Sequence, residues 1–244
     1  MIKNVNIDSN IINKNINNYI RENKMIKKVA IIGLGYVGLP TLVAISRTKK
    51  HEVVGFDINC ERVKMISDGK SPIEDEDVVS YIKNNKVNVS NNENDLSGSD
   101  VFIICVPTPV FDDFTPDYGP VESATKICAK FLKKGCHFVL ESTVNPGTCE
   151  EIVKPILENE SELIAGIDFN ISHCPERINP GDKKWSIYNI NRNIGSISEK
   201  WNKIIADFYR SFITSAVVNE VSCLKVAEST KIVENAFRDI NIAY

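Results

Sequence analysis

The stretch Lys28–Pro40, KVAIIGLGYVGLP, constrains the possible folds of this chain more than any other. An apolar run, Val29 to Ile32, meets glycines at 33, 35 and 38, and a helical pattern follows from about Val37 to Arg47. A buried parallel strand that feeds a helix through G-x-G-x-x-G is the dinucleotide-binding fingerprint. Gly33 is expected to permit the tight turn, Gly35 to leave room for a pyrophosphate, and Gly38 to let the helix pack close on the strand. Unpaired N–H groups of the first helical turn then face the phosphates, whose charge the helix dipole favours. The second run, HEVVGFD, ends in Asp57, 19 residues after Gly38. That is where the fingerprint expects the carboxylate for the ribose hydroxyls, and such a group repels a 2′-phosphate. The cofactor expected is therefore NAD rather than NADP. Arg62 lies one turn into the next helix and is placed to close over the adenosine ribose, unless it is a solvated surface arginine. The structural alternative for Asp57 is a cap for the helix Asn59–Ser67.

Strand and helix alternate from Lys27 onward. Strands are expected at Val29–Gly33, Val53–Asp57, Val101–Val106, His137–Glu141 and Phe169–His173, with helices at Val37–Arg47, Cys60–Ser67, Asp77–Asn84, Val121–Leu132 and Cys149–Leu157. This order predicts an α/β, Rossmann-like, doubly wound and mainly parallel sheet with helices on both faces. Three parts are expected: an Asn-rich extension at 1–24, a dinucleotide-binding domain at 25–220, and the start of a long connecting helix at 221–244. Within the extension, Ile12, Ile16 and Ile20 suit a short helix capped by Asp8 or Ser9, and a mobile tail is the other reading. A net charge of −3 gives no reason to expect nucleic acid as partner. No apolar run reaches the length of a membrane span and the polar N-terminus has no signal-peptide core, so a cytoplasmic location is the default expectation. The seven cysteines are scattered, odd in number and without C-x-x-C, which indicates neither a disulfide framework nor a zinc site.

In a parallel sheet, ligands bind beyond the carboxyl ends of the strands. The segments there are polar or stiffened by proline. Cys105–Pro109 presents Thr108 between two prolines, Glu141–Thr148 runs from a polar strand end into a helix start, and His173–Gly181 carries the Glu176–Arg177 pair. Ser142 and Thr143 also suit an N-cap, and a surface ion pair is the plain reading of Glu176 and Arg177. An amphipathic helix over Ser198–Ile213 with Trp201, Ile204, Ile205, Phe208 and Phe212 inward, and a strand at Ala216–Val218, precede one long helix from Val221 to Tyr244. On that last helix Leu224, Ala227, Val233, Ala236, Phe237 and Ile240 are available for burial. Lys231, Asn235 and Arg238 share one face, either as a solvated stripe or as an anion and oxyanion site.

Together these segments resemble the NAD-dependent nucleotide-sugar 6-dehydrogenases, the group of UDP-glucose and GDP-mannose dehydrogenases. GLGYVGLP (33–40), SPIE (71–74), CVPTP (105–109), ESTVNPGT (141–148), CPERINPG (174–181) and KVAESTKIVENAFRDINIA (225–243) occur in family order. HCPER with NPG, and ENAFRDINIA, look like the branch acting on UDP-N-acetylhexosamines such as UDP-N-acetylglucosamine or UDP-N-acetylmannosamine. The resemblance implies oxidation of the sugar C6 hydroxyl to the uronate in two hydride transfers to NAD, through a cysteine-bound thiohemiacetal and thioester, for surface polysaccharide precursors. By position it implies Gly33, Gly35, Tyr36, Val37, Gly38, Asp57, Arg62, Thr108 and Thr143 at the cofactor, with Thr143 also near the reacting carbon. It places Lys231 and Asn235 at the developing oxyanion, Glu176 at thioester hydrolysis, and Arg177, Ile178 and Arg238 on the substrate beside Lys231 and Asn235. It also implies a UDP-sugar partner and a homodimer through the central helix in the full-length form, with no metal. Two departures stand out: Pro180 occupies the place of a second family glutamate, and these residues contain no GGxC segment, the family's source of the nucleophile, so that none of the seven cysteines matches it. The expectation is an N-terminal half that binds NAD without completing the oxidation. The rival is a non-catalytic NAD-binding remnant or one half of a split enzyme.

Overall fold

The computed structural model describes residues 26–177 and 186–244; the N-terminal extension and Ile178 lie outside the described residues. The chain order is β1 (Lys28–Ile32), α1 (Gly38–Thr48), β2 (Glu52–Phe56), α2 (Cys60–Ser67), α3 (Glu76–Asn84), β3 (Val89–Ser90) and β4 (Val101–Ile104). There follow α4 (Gly119–Ala129), β5 (His137–Leu140), α5 (Lys154–Ser161), β6 (Asn170–His173), β7 (Arg192–Ser196), α6 (Glu199–Arg210), β8 (Val218–Glu220) and α7 (Leu224–Ala243). The sheet runs β3-β2-β1-β4-β5-β6-β7-β8, parallel throughout except where β7 meets β6. Its first six strands have the Rossmann order, with the switch point between β1 and β4, so the expected fold class holds.

Burial on both faces explains the near-continuous apolar strands. Val29 and Ile31 of β1 join the core under α1 with Leu39, Leu42 and Ile45, while Ala30 and Ile32 join the opposite core with Phe102, Phe138 and Val121. Gly33 has φ +91°, and a Cβ there would sit 2.8 Å from the Cys105 carbonyl oxygen, so no other residue suits this turn. A Cβ on Gly38 would sit 1.9 Å from the Gly33 carbonyl oxygen, which makes the close packing of helix on strand explicit.

Several expectations change. β3 and β7 are not anticipated by the sequence reading, and the strand placed at Ala216–Val218 is Val218–Glu220. The helix expected over Cys149–Leu157 opens with a π turn, Cys149–Val153, before α5, at the point where Pro155 has no N–H to donate. On α7 only Leu224, Ala227 and Glu228 are buried; Val233 (65% exposed), Phe237 (69%) and Ile240 (59%) face outward, and Ala236 is exposed. The buried residues of α7 all lie in its first two turns. On α6, Tyr209 is fully buried and Ile204 only partly.

β7 escaped notice because its pattern, RNIGS, is polar. Its polar groups lie in a buried relay. Asn170 Nδ2 donates to Ser172 Oγ (2.7 Å), Ser172 Oγ pairs with Ser196 Oγ (2.6 Å), and Ser196 Oγ donates to Asn202 Oδ1 (3.0 Å). His137 closes the relay with Nδ1 3.2 Å from Asn170 Nδ2, and its ring stands edge-on to Trp201 at 5.1 Å. Burial pushes the His137 imidazole down from 6.5 to about 4, against a smaller opposing pull from Asp100. The unfolded chain therefore takes up this proton near pH 6.5 and the folded chain only near pH 4, so stability falls as pH drops through that window and is unaffected by this group above it. Thermal melts between pH 7 and 4 should show that decline. A His137→Gln variant should lessen it by an amount on the order of 3 kcal/mol at the acid end, leaving the share of His173, whose imidazole burial pushes down to about 3.

Candidate active site

One cleft of about 900 Å³ opens beyond the carboxyl ends of β1, β2, β4, β5 and β6, with α4 and α7 completing its wall. Gly33, Gly35, Tyr36, Val37, Asp57, Arg62, Thr108, Thr143, Glu176 and Lys231 all line it. Gly38 lies beneath the turn, as a packing residue. Asn235 is half-buried one turn beyond Lys231, and Arg238 is exposed further along α7; neither lines the cleft, nor does Arg177.

The cofactor end is built around Asp57. This carboxylate is only 4% exposed. Its Oδ2 accepts from the Leu34 N–H at 2.9 Å and from Arg62 Nη1 at 2.9 Å, and its Oδ1 accepts from the Asn59 N–H at 2.9 Å. The helix cap is instead the Asn59 side chain, which accepts from the Arg62 N–H at 3.0 Å, so the capping alternative for Asp57 falls away. A carboxylate offers about four lone-pair sites, three of which are taken here, leaving one for a ribose hydroxyl. At Gly35 a Cβ would meet nothing within 4 Å, so the space above the turn is open where a pyrophosphate would lie. A glycine turn with φ +91°, open space above Gly35 and a strand-end carboxylate fit a dinucleotide.

At the opposite end, Thr108 and Ser142 are tied to backbone. Thr108 Oγ1 donates to the Thr143 carbonyl at 2.8 Å and Ser142 Oγ to the Val106 carbonyl at 2.7 Å, joining the loops after β4 and β5. Neither Ser142 nor Thr143 caps the following helix. That role falls to Glu228 of α7, which accepts from the N–H groups of Gly147 (2.6 Å) and Cys149 (2.8 Å). Sequence reading passed over this residue because its partners lie about 80 positions away.

Beneath Glu176 is a charge cluster that the sequence conceals. Arg192, fully buried, lies 3.2 Å from Glu176 Oε1 and 3.7 Å from Glu141 Oε2. Tyr209 donates to Glu141 Oε1 at 2.6 Å. Burial raises the Glu141 pKa, while Arg192 and the tyrosine hydroxyl pull it back. Lys231 contributes a second cation; burial lowers its pKa, with Glu176 opposing. A lysine shifted toward its neutral form is suited to proton transfer. Arg177 is held away from the cleft, with Nε 2.7 Å from Glu234 Oε2 and Nη1 donating to the Asn191 carbonyl at 3.2 Å.

Among the described residues one cysteine lines the cleft. Cys105 is the one that lines it, and burial holds its thiol well above the ordinary value, with Glu141 adding to the shift. Burial likewise raises the thiol of Cys174. Both shifts favour the thiol over the thiolate, and a thiol is the poorer nucleophile.

Comparison with known proteins agrees with this geometry. Residues 27–213 match the model of the UDP-glucose/GDP-mannose dehydrogenase family, NAD binding domain. The chain is 40% identical over 219 residues to protein CapL of Staphylococcus aureus, covering 90% of this chain and 51% of that protein. It is 39% identical over 216 residues to UDP-N-acetyl-D-glucosamine 6-dehydrogenase of Pseudomonas aeruginosa, covering 88% of this chain and 50% of that protein. The solved structure of the UDP-D-ManNAc dehydrogenase of Pyrococcus horikoshii superposes with a TM-score of 0.83 at 37% identity, over 88% of this chain and 51% of the other. The chain spans about half the length of the relatives it matches. Sheet order and glycine turn concur with these matches, and the chain belongs to the UDP-glucose/GDP-mannose dehydrogenase family, whose NAD-binding domain it matches at residues 27–213.

Proposed function

We propose that this chain is the cofactor-binding part of an enzyme that oxidises the C6 hydroxyl of a UDP-N-acetylhexosamine to the carboxylate. The observation that carries the reading is one cleft lined by both the dinucleotide fingerprint and the trio Thr143, Glu176 and Lys231. The relatives named for N-acetylated UDP-sugars support the substrate class. Gly33, Gly35, Tyr36, Val37, Asp57, Arg62 and Thr108 hold NAD, which accepts hydride from the sugar carbon when bound. Lys231, partly desolvated, takes the hydroxyl proton and then stabilises the oxyanion, with Asn235 one turn further on adding an amide donor. Thr143 stands beside the reacting carbon. Glu176, fixed from below by Arg192, activates water in the hydrolytic step, and Arg177, Ile178 and Arg238 hold the substrate, Arg177 by exchanging Glu234 for it. The nucleophilic cysteine is not among these residues, and a homodimer through the central helix belongs to this reading.

The 244-residue chain should therefore bind NADH, seen as a fluorescence change, yet show no sustained NADH production with NAD and UDP-N-acetylglucosamine or UDP-N-acetylmannosamine. Turnover by this polypeptide alone would overturn the assignment of the nucleophile. A chimera with the remaining half of the Pseudomonas aeruginosa relative should yield two NADH per sugar, and Lys231→Ala in it should lower kcat by at least about 100-fold. A chimera that binds NAD and leaves both sugars unoxidised would count against the substrate class.

Replacing Asp57 by Ala removes two backbone acceptor bonds and the ribose site together. NAD affinity should fall by about 10- to 100-fold, and the preference over NADP should narrow, in parallel titrations. Arg192→Met leaves Glu141 and Glu176 without their shared cation and should destabilise the chain by about 3–5 kcal/mol in urea denaturation; adding Glu141→Gln should recover part of that loss.

A further inference from the structure

Directly under the loop that follows β5, three side chains from distant segments converge: Cys149 of the π turn, His173 at the end of β6 and Glu228 in the first turns of α7. One ligand atom from each lies within 4.8 Å of the other two, and all three residues are buried. None of them lines the NAD cleft. The geometry points to a metal site here, for a borderline divalent ion of the zinc type, which would staple β6, the π turn and α7 together.

His173 supplies the independent observation. It is 0% exposed, and neither Nδ1 nor Nε2 has a hydrogen-bond partner. A buried imidazole normally spends at least one nitrogen on a neighbour, and here both are free among donors that metals prefer. Glu228 retains capacity: each oxygen accepts one backbone N–H, at 2.6 and 2.8 Å, and has a second lone pair left. The Cys149 thiol now donates toward that carboxylate.

Charge also balances. A divalent ion displaces the Cys149 thiol proton to solvent, and thiolate, carboxylate and neutral imidazole then form a site with no net charge, which a buried position requires. One sulfur, one nitrogen and one oxygen donor suit zinc or cobalt and not magnesium or calcium, which take oxygen shells. Three protein donors leave one tetrahedral position for water. Binding joins the segments bearing Thr143, Glu176 and Lys231, so the ion would be structural with respect to that trio. The inference stands apart from the sugar reading, because its readout is metal uptake.

The test is a cobalt(II) titration of the chelator-treated chain. The expected result is one ion per chain, a sulfur-to-cobalt charge-transfer band, one proton released per ion, a raised melting temperature and no response to magnesium. Cys149→Ser should abolish the charge-transfer band and His173→Gln should weaken binding more than about 10-fold. NADH titration of each variant reports whether it has folded. Absence of the band in the unmodified chain overturns the site whatever the variants do. So does a band of unchanged strength in folded Cys149→Ser, which would place the metal on another cysteine, and a normal melting temperature with no proton release, which would leave the pocket to an enclosed water.

Discussion

One side of the cleft depends on one buried guanidinium. Arg192 has no contact with solvent, and a charge in that position persists only because two carboxylates face it. Those carboxylates belong to the ends of different strands, Glu141 after β5 and Glu176 after β6, while the cation opens β7. The antiparallel turn of the chain from β6 to β7 is what brings the cation back under the strand ends. Tyr209 extends the cluster into α6 through its 2.6 Å bond to Glu141. Three strands and a helix thus share one electrostatic knot, and Glu176 is its face toward the cleft.

The cofactor end obeys a different constraint, one of space rather than charge. Gly33 and Gly38 are defined by what cannot fit beside them, and Gly35 by the emptiness above it. Asp57 links the two kinds of argument. It binds the Leu34 N–H inside the glycine turn, so the strand-end carboxylate also holds that turn in shape.

Legibility in the sequence followed this division. Strands β1, β2, β4 and β5 were visible because burial on both faces makes them apolar, and the glycine turn was visible because steric exclusion leaves few residue choices. Family segments then carried the positions of Thr143, Glu176 and Lys231. β7 was invisible for a physical reason: beside the single apolar Ile194 its buried groups are an arginine, a serine and a glycine, the polar ones satisfied by ion pairs and a hydroxyl relay, and period-2 hydrophobicity cannot register such partners. Glu228 was hidden similarly, because its cap on Gly147 and Cys149 is made across the fold. The apolar stripe of α7 shows helical spacing, yet Val233, Phe237 and Ile240 stay mostly exposed within the chain.

A missing side chain sets the direction of α7. A Cβ on Gly195 would lie 2.3 Å from the Cys223 carbonyl oxygen and 3.0 Å from Ala227 Cβ, so β7 and the root of the helix touch through bare backbone. Lys231 is eight residues further on, roughly 12 Å along the helix axis. The helix therefore behaves as a lever whose fulcrum is this contact. A small outward push at its root swings the amine away from Thr143 and Glu176 without altering any residue of the cleft. Sequence drift at position 195 is thus coupled to the aim of a lysine it never touches.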